Sequence, residues 1–100
     1  MTIFEALAEP ARQDLLAQLR RGERPVGALV DALGVAQPSV SKHLKVLKEA
    51  GLVRVRVDGP RRLYSLDPAP LAALDAWLAP YRRFWADKLD ALGEHLKRSD

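Results

Sequence analysis

Gln37, Pro38, Ser39, Ser41, Lys42, His43 and Lys45 crowd around Val40 and Leu44, so a short stretch of chain is rich in hydrogen-bonding and cationic groups. Val40, Leu44 and Leu47 fall at i, i+4 and i+7, the spacing of one apolar helical stripe. On that wheel Pro38, Ser39, Lys42 and Lys45 point away from the stripe, and Gln37, Ser41 and His43 lie on its flanks. The chemistry offered is recognition of a polyanion that also carries base edges. Glutamine pairs bidentately with adenine, serine hydroxyls suit bases or phosphates, and lysine reaches guanine or phosphate. Small residues at the start of such a helix allow close approach to a major groove. A second cationic pair, Arg61 and Arg62, directly follows Asp58-Gly59-Pro60. Two guanidinium groups beside a turn suit a narrow flanking minor groove.

Other chemistries fit less well. Ser39, Ser41 and His43 are close in sequence, but the wheel sets them on an open basic face rather than in the sheltered pocket a nucleophile and its base require. No catalytic residues are expected. The chain has no cysteine, which excludes disulfides, thiolate metal sites and a cysteine nucleophile. Asp87, Asp90, Glu94 and His95 cluster in sequence, and acids with one imidazole can bind transition metals. A solvated helical face is the plainer reading, so no metal and no cofactor are expected. For His43 two roles stand, a DNA contact or packing at the helix flank.

The elements that must position these groups follow from period and punctuation. Thr2 and Glu5 have capping-box spacing ahead of Ile3, Phe4 and Leu7. Pro10 opens a second helix with Leu15, Leu16 and Leu19, and Gly22 stops it. Pro25 opens a third, with Val26, Leu29, Val30 and Leu33 inward, closed by Gly34. Gln37 to Ala50 is the fourth, ended by Gly51. Val53, Val55 and Val57 then alternate with Arg54 and Arg56 as a half-buried strand, and Leu63 to Leu66 returns after the turn. The helical period resumes from Leu71 to about Leu96, with Pro80 predicting a kink or a split. Leu74, Leu78, Tyr81, Trp85, Leu89 and Leu92 stripe this last segment, and Trp77, Phe84 and Trp85 exceed what one helix edge needs to cover a small domain.

Charge agrees with this division of labour. The net charge is +3, yet residues 37–66 hold seven basic and two acidic residues, leaving the remainder acidic. A chain of 100 residues with 48% hydrophobic content builds one core and gains from dimerisation. No apolar run reaches membrane-span length, and the N-terminus lacks a signal-peptide layout, so a cytoplasmic location is expected.

The run Gln37-Pro38-Ser39-Val40-Ser41-Lys42-His43-Leu44-Lys45-Val46-Leu47-Lys48-Glu49-Ala50-Gly51-Leu52-Val53 resembles the recognition helix and following turn of ArsR/SmtB-family repressors. Leu7-Ala8-Glu9-Pro10-Ala11-Arg12 and Arg62-Leu63-Tyr64-Ser65-Leu66 resemble the family's opening motif and wing. The resemblance covers residues 3–70 well and the last helix loosely. It implies a homodimer paired through terminal helices, an imperfect palindrome as operator, and release on a signal. Three departures stand out. Glu9 replaces the usual Asp, Ala36 replaces a capping Ser, and Pro25-Val26-Gly27 stands where metal-sensing members carry Cys-Val-Cys. Asp75-Ala76-Trp77 likewise lacks the imidazole of zinc-sensing relatives.

The resulting expectation is a mainly α fold with a small β-hairpin, a winged helix-turn-helix in the order helix, helix, helix, helix, hairpin, helix, assembled as a homodimer. It is one domain over residues 1–100, with N-terminal helices at 1–22, the helix-turn-helix at 25–50, the wing at 52–66 and a dimerising segment at 70–97. DNA contacts are assigned to Gln37, Pro38, Ser39, Ser41, Lys42, His43, Lys45, Arg61 and Arg62. The dimer interface is assigned to Leu74, Leu78, Tyr81, Trp85, Leu89 and Leu92. The partner is double-stranded DNA with a palindromic operator, and the function is repression. Two alternatives are a winged-helix module that binds protein and a non-specific architectural DNA protein. A protein-docking face would carry apolar anchors where this one carries Ser39, Lys42 and Lys45.

Overall fold

Thr2 starts the first helix as its spacing predicts: its Oγ1 accepts a hydrogen bond from the Glu5 amide at 3.2 Å. The other half of the box differs, because the Thr2 hydroxyl donates to the Glu5 carboxylate at 3.3 Å. The computed structural model describes the backbone of residues 2–98 and the side chains of residues 2–93. In chain order the elements are α1 (Ile3–Leu7), α2 (Pro10–Leu19), β1 (Arg24–Pro25), α3 (Val26–Leu33), α4 (Gln37–Glu49), β2 (Val53–Asp58), β3 (Arg61–Leu66) and α5 (Pro68–Arg98).

Two compact units result, residues 1–70 and the segment from Leu71 onward. In the first, α1 is too short to stand alone, and α2 supplies what its end lacks. Arg12 Nε donates to the Ala6 carbonyl at 2.7 Å and Nη2 to the Glu5 carbonyl at 3.1 Å. Gln13 donates to the Leu7 carbonyl at 2.6 Å. The Glu5 carbonyl also accepts from the Ala8 amide at 3.3 Å, and the side chains from α2 complete the end of α1, so the Leu-Ala-Glu-Pro-Ala-Arg motif is a hydrogen-bonded joint between two helices.

The core is drawn from every element of this unit that carries an apolar stripe. Leu15 and Leu19 of α2, Leu29 of α3, Val40, Leu44 and Leu47 of α4, and Leu52, Val53 and Leu63 are buried, and among the described residues no charged or polar residue is buried with them. Each buried leucine or valine contributes roughly 1.5–3 kcal/mol. Three such anchors hold α4 by one face and leave the opposite face to solvent.

α4 ends in a Schellman motif. The Leu52 amide donates to the Leu47 carbonyl at 2.9 Å, and the Gly51 amide donates to the Lys48 carbonyl at 3.0 Å. Gly51 sits at φ 78, a left-handed conformation that a side chain would strain. The chain is thereby turned directly from α4 into β2.

The sheet has three strands rather than the two of the expected hairpin, in the order β1-β3-β2. Arg24 pairs with Tyr64 and Pro25 with Leu63, antiparallel. Pro25 accordingly does not open a helix; it has extended φ −76 and ψ 160, and α3 begins at Val26. A proline without an amide proton is at home on this edge strand. In the wing, Val53 to Asp58 pairs with Leu66 to Arg61, and Gly59-Pro60 is a two-residue loop. Gly59, at φ 60, provides the positive φ such a tight hairpin needs.

α5 begins earlier than the apolar period suggests. Asp67 Oδ1 accepts from the Ala69 amide at 3.1 Å and Pro68 occupies the first helical position. Of a kink or a split at Pro80, the split does not occur: one helix runs to Arg98 with Pro80 inside it. Its neighbours are mostly strong helix formers, so the loss of one amide donor does not end it. An ion pair between Asp75 and Arg82 spans the proline.

Candidate nucleic-acid interface

With Val40, Leu44 and Leu47 turned inward, α4 presents Pro38, Ser39, Lys42 and Lys45 on its exposed side, and Gln37 and Ser41 are exposed on the flank nearer the wing. His43 is half-buried on the other flank. The helix starts at Ala36 (φ −58, ψ 142), which has no side-chain acceptor, and the Ser39 and Val40 amides both donate to its carbonyl at 3.0 and 3.1 Å. Pro38 has no amide proton, so Ser39 is the one donor a capping side chain would address. Ala36→Ser is expected to raise unfolding free energy by about 0.5–1 kcal/mol, read as a higher denaturant midpoint at unchanged m. An unmoved midpoint would mean that the Ala36 carbonyl already satisfies that amide.

The wing divides its two arginines. Arg61 lies opposite Asp58 in the register, 3.4 Å from its carboxylate, whereas Arg62 lies opposite Val57 and on the other face of the strand. Arg62 therefore shares a sheet face with Tyr64 and Val55. Val57 is 69% exposed beside it, an apolar residue at the end of a basic hairpin.

Ion pairs thin out the basic third of the chain. Arg54 meets Asp67 at 3.1 Å and Arg56 meets Glu23 at 2.5 Å. The Arg56 hydrogen bond pulls the Glu23 carboxyl below its ordinary range, and Glu23 in turn raises the Arg56 guanidinium. Asp67 is lowered first by the Ala69 amide and then by Arg54. Both Glu23 and Asp67 lie outside residues 37–66, so the positive charge of that window is overstated when it is read alone. Lys42, Lys45, Lys48 and Arg62 make no ion pair among the described residues.

Two clefts join α4 to the wing. One, of about 500 Å³, is bounded by the start of α3, Gln37, Pro60, Arg61 and Arg62. The other, of about 390 Å³, is lined by Gln37, Ser41, Lys45 and Lys48 from α4, by Arg62 and Tyr64 from β3, and by Val26 and Leu44 at its apolar floor. The fold thus gathers Gln37, Ser41, Lys45, Arg61 and Arg62 around one re-entrant surface. Pro38, Ser39 and Lys42 stay on the open face, and His43 is turned from both clefts. Lys48 and Tyr64 join the site without having been assigned to it. Lys48 is legible in retrospect, since 37, 41, 45 and 48 form one helical stripe.

In the second unit Leu74 and Leu78 are half-buried, while Tyr81, Trp85, Leu89 and Leu92 are exposed. Trp77 and Phe84 widen that apolar sector; the Trp77 and Tyr81 rings lie 5.0 Å apart and the Lys88 ammonium sits 5.5 Å from the Phe84 centroid. Among the described residues no three of His, Cys, Asp and Glu come together, and the side chains of Glu94 and His95 lie outside those residues. No described helix is long and apolar enough to cross a membrane.

The geometry has close counterparts. A family of helix-turn-helix domains matches residues 7–56. An HTH-type transcriptional regulator of Mycobacterium tuberculosis, Rv2034, is 46% identical over 86 residues, covering 86% of this chain and 78% of the relative. The transcriptional repressor SmtB of the same organism is 49% identical over 76 residues, covering 74% of this chain and 56% of its own length, so the chain spans about half of that relative. The crystal structure of an ArsR family transcriptional regulator superposes with a TM-score of 0.74 at 36% identity, covering 84% of this chain and 92% of the other.

Proposed function

The chain belongs to the ArsR/SmtB family of winged helix-turn-helix transcriptional regulators, and from that membership we propose that it is a homodimeric repressor that reads a palindromic DNA operator. The family consists of DNA-binding regulators, not enzymes. The observation that carries the finer reading is the outward face of α4, where Lys42 and Lys45, without an ion pair among the described residues, stand beside Ser39, Gln37 and Ser41 over a fully buried apolar stripe.

In this mechanism α4 enters a major groove, and Pro38 and the serines keep its start slim enough for close approach. Gln37, Ser39, Ser41 and Lys42 meet base edges and phosphates, His43 supports the helix flank, and Lys45 reaches the backbone. Arg61 and Arg62 grip the flanking strand or minor groove. Two protomers paired through the α5 residues Leu74, Leu78, Tyr81, Trp85, Leu89 and Leu92 address half-sites about one helical turn apart. Occupying promoter DNA in the cytoplasm excludes transcription. Absence of cysteine and of the Cys-Val-Cys sequence argues for control by something other than thiolate-bound metal.

The test is fluorescence anisotropy of chelator-treated protein on the DNA upstream of its own gene, with scrambled duplex as competitor and salt varied. A dimer engaging three phosphates per protomer should give a slope of log affinity against log salt of about −5. Preference for the upstream DNA with such a slope supports the reading. Equal binding to scrambled duplex would make the protein architectural, and no binding to either would favour a protein-interaction module.

A further inference from the structure

We propose that the cleft between α4 and the wing receives one backbone phosphate of the DNA duplex, and that Lys48 and Tyr64 are binding residues for it. This rests on the DNA-reading function above and names contacts it did not include. A duplex separates its major groove from the adjacent minor groove by one sugar–phosphate strand. If α4 occupies the first and the wing the second, that strand passes between them, where the cleft of about 390 Å³ lies.

The lining suits a phosphodiester. Among the described residues, Lys45, Lys48 and Arg62 bring three cations with no ion pair, and no carboxylate lines the cleft. Ser41 and Tyr64 offer hydroxyl donors and Gln37 an amide. Nearby cations are treated differently by the fold: Arg54, Arg56 and Arg61 each have an acid within 3.4 Å. Lys45 and Lys48 are one turn apart on α4, a spacing at which like charges repel. Folding gains nothing from leaving these three uncompensated, whereas the oxygens of a bound phosphodiester, with its single negative charge, would give them a shared anionic acceptor. Val26 and Leu44 add apolar atoms to the lining, and a lowered local dielectric strengthens such charge-assisted bonds.

The experiment compares wild type, Lys48→Gln, Lys48→Arg and Tyr64→Phe on the upstream duplex and on a scrambled one, across salt. A second arm scans one half-site with single methylphosphonate linkages, which remove one backbone charge at a time. Lys48→Gln is expected to weaken both duplexes alike by about five- to tenfold and to flatten the salt slope by about 1 for each bound protomer. Lys48→Arg should restore the slope. Tyr64→Phe should weaken binding a few-fold with no change of slope, as loss of a neutral donor requires. One methylphosphonate should cost wild type more than it costs Lys48→Gln, because the variant has already lost one of the contacts to that linkage. Wild-type DNA binding combined with an unchanged slope in Lys48→Gln would overturn the phosphate cleft and leave the regulator reading standing. So would methylphosphonate losses that all multiply with the variant's. Absence of wild-type binding to any duplex would overturn both.

Discussion

Trp85→Glu in α5 is expected to turn the proposed homodimer into a monomer. Trp85 is 42% exposed within the chain, in a sector it shares with the exposed Tyr81, Leu89 and Leu92. A buried interface tryptophan typically carries about 2–4 kcal/mol, and a two-fold axis counts every substitution twice. Placing two carboxylates there should raise the dimer dissociation constant by about a thousandfold or more. Sedimentation velocity at micromolar concentration then reports one protomer mass, and operator affinity falls by roughly a hundredfold as the second half-site no longer binds in tandem. Arg83→Glu, on the opposite side of the helix, should leave the dimer intact. A persistent Trp85→Glu dimer would remove this helix face from the interface.

The second large effect is expected from Lys42→Ala combined with Arg61→Ala and Arg62→Ala. Each of the three side chains is exposed, and the one ion pair lost among the described residues, Arg61 with Asp58, is a surface pair of the kind that contributes little to stability. The melting temperature should therefore hold. Operator affinity should fall by about two to three orders of magnitude at moderate salt, with a salt slope shallower by several units per dimer. Titrations that overlay the wild type would show that another face meets DNA.

How far the sequence could be read is itself governed by the range of the interactions involved. α4 and the wing were legible because period 3.6 and period 2 are properties of neighbouring residues. β1 was not, because two residues show no alternation; only its pairing with Tyr64 and Leu63, some 40 positions along the chain, makes it a strand. The start of α5 at Pro68, capped by Asp67, was hidden because the apolar period that usually announces a helix begins only at Leu71. Of the site, the open face of α4 could be drawn on a wheel. The cleft could not, because it exists only where α4, α3 and β3 meet, and Tyr64 enters it through strand register. The same limit hid the pairing of Arg54 and Arg56, whose acids come from other elements.

The joint between the first two helices bears on any attempt to engineer this scaffold. Arg12 and Gln13 reach back across Pro10 to the carbonyls of Glu5, Ala6 and Leu7. α1 is thus not a portable cassette: a chimera that takes its sequence from one parent and α2 from another inherits the helix but not the donors that finish it. A crossover point placed after Gln13 keeps the pair intact, and one placed at Glu9 severs it unless the incoming helix brings its own arginine and glutamine to the same two positions.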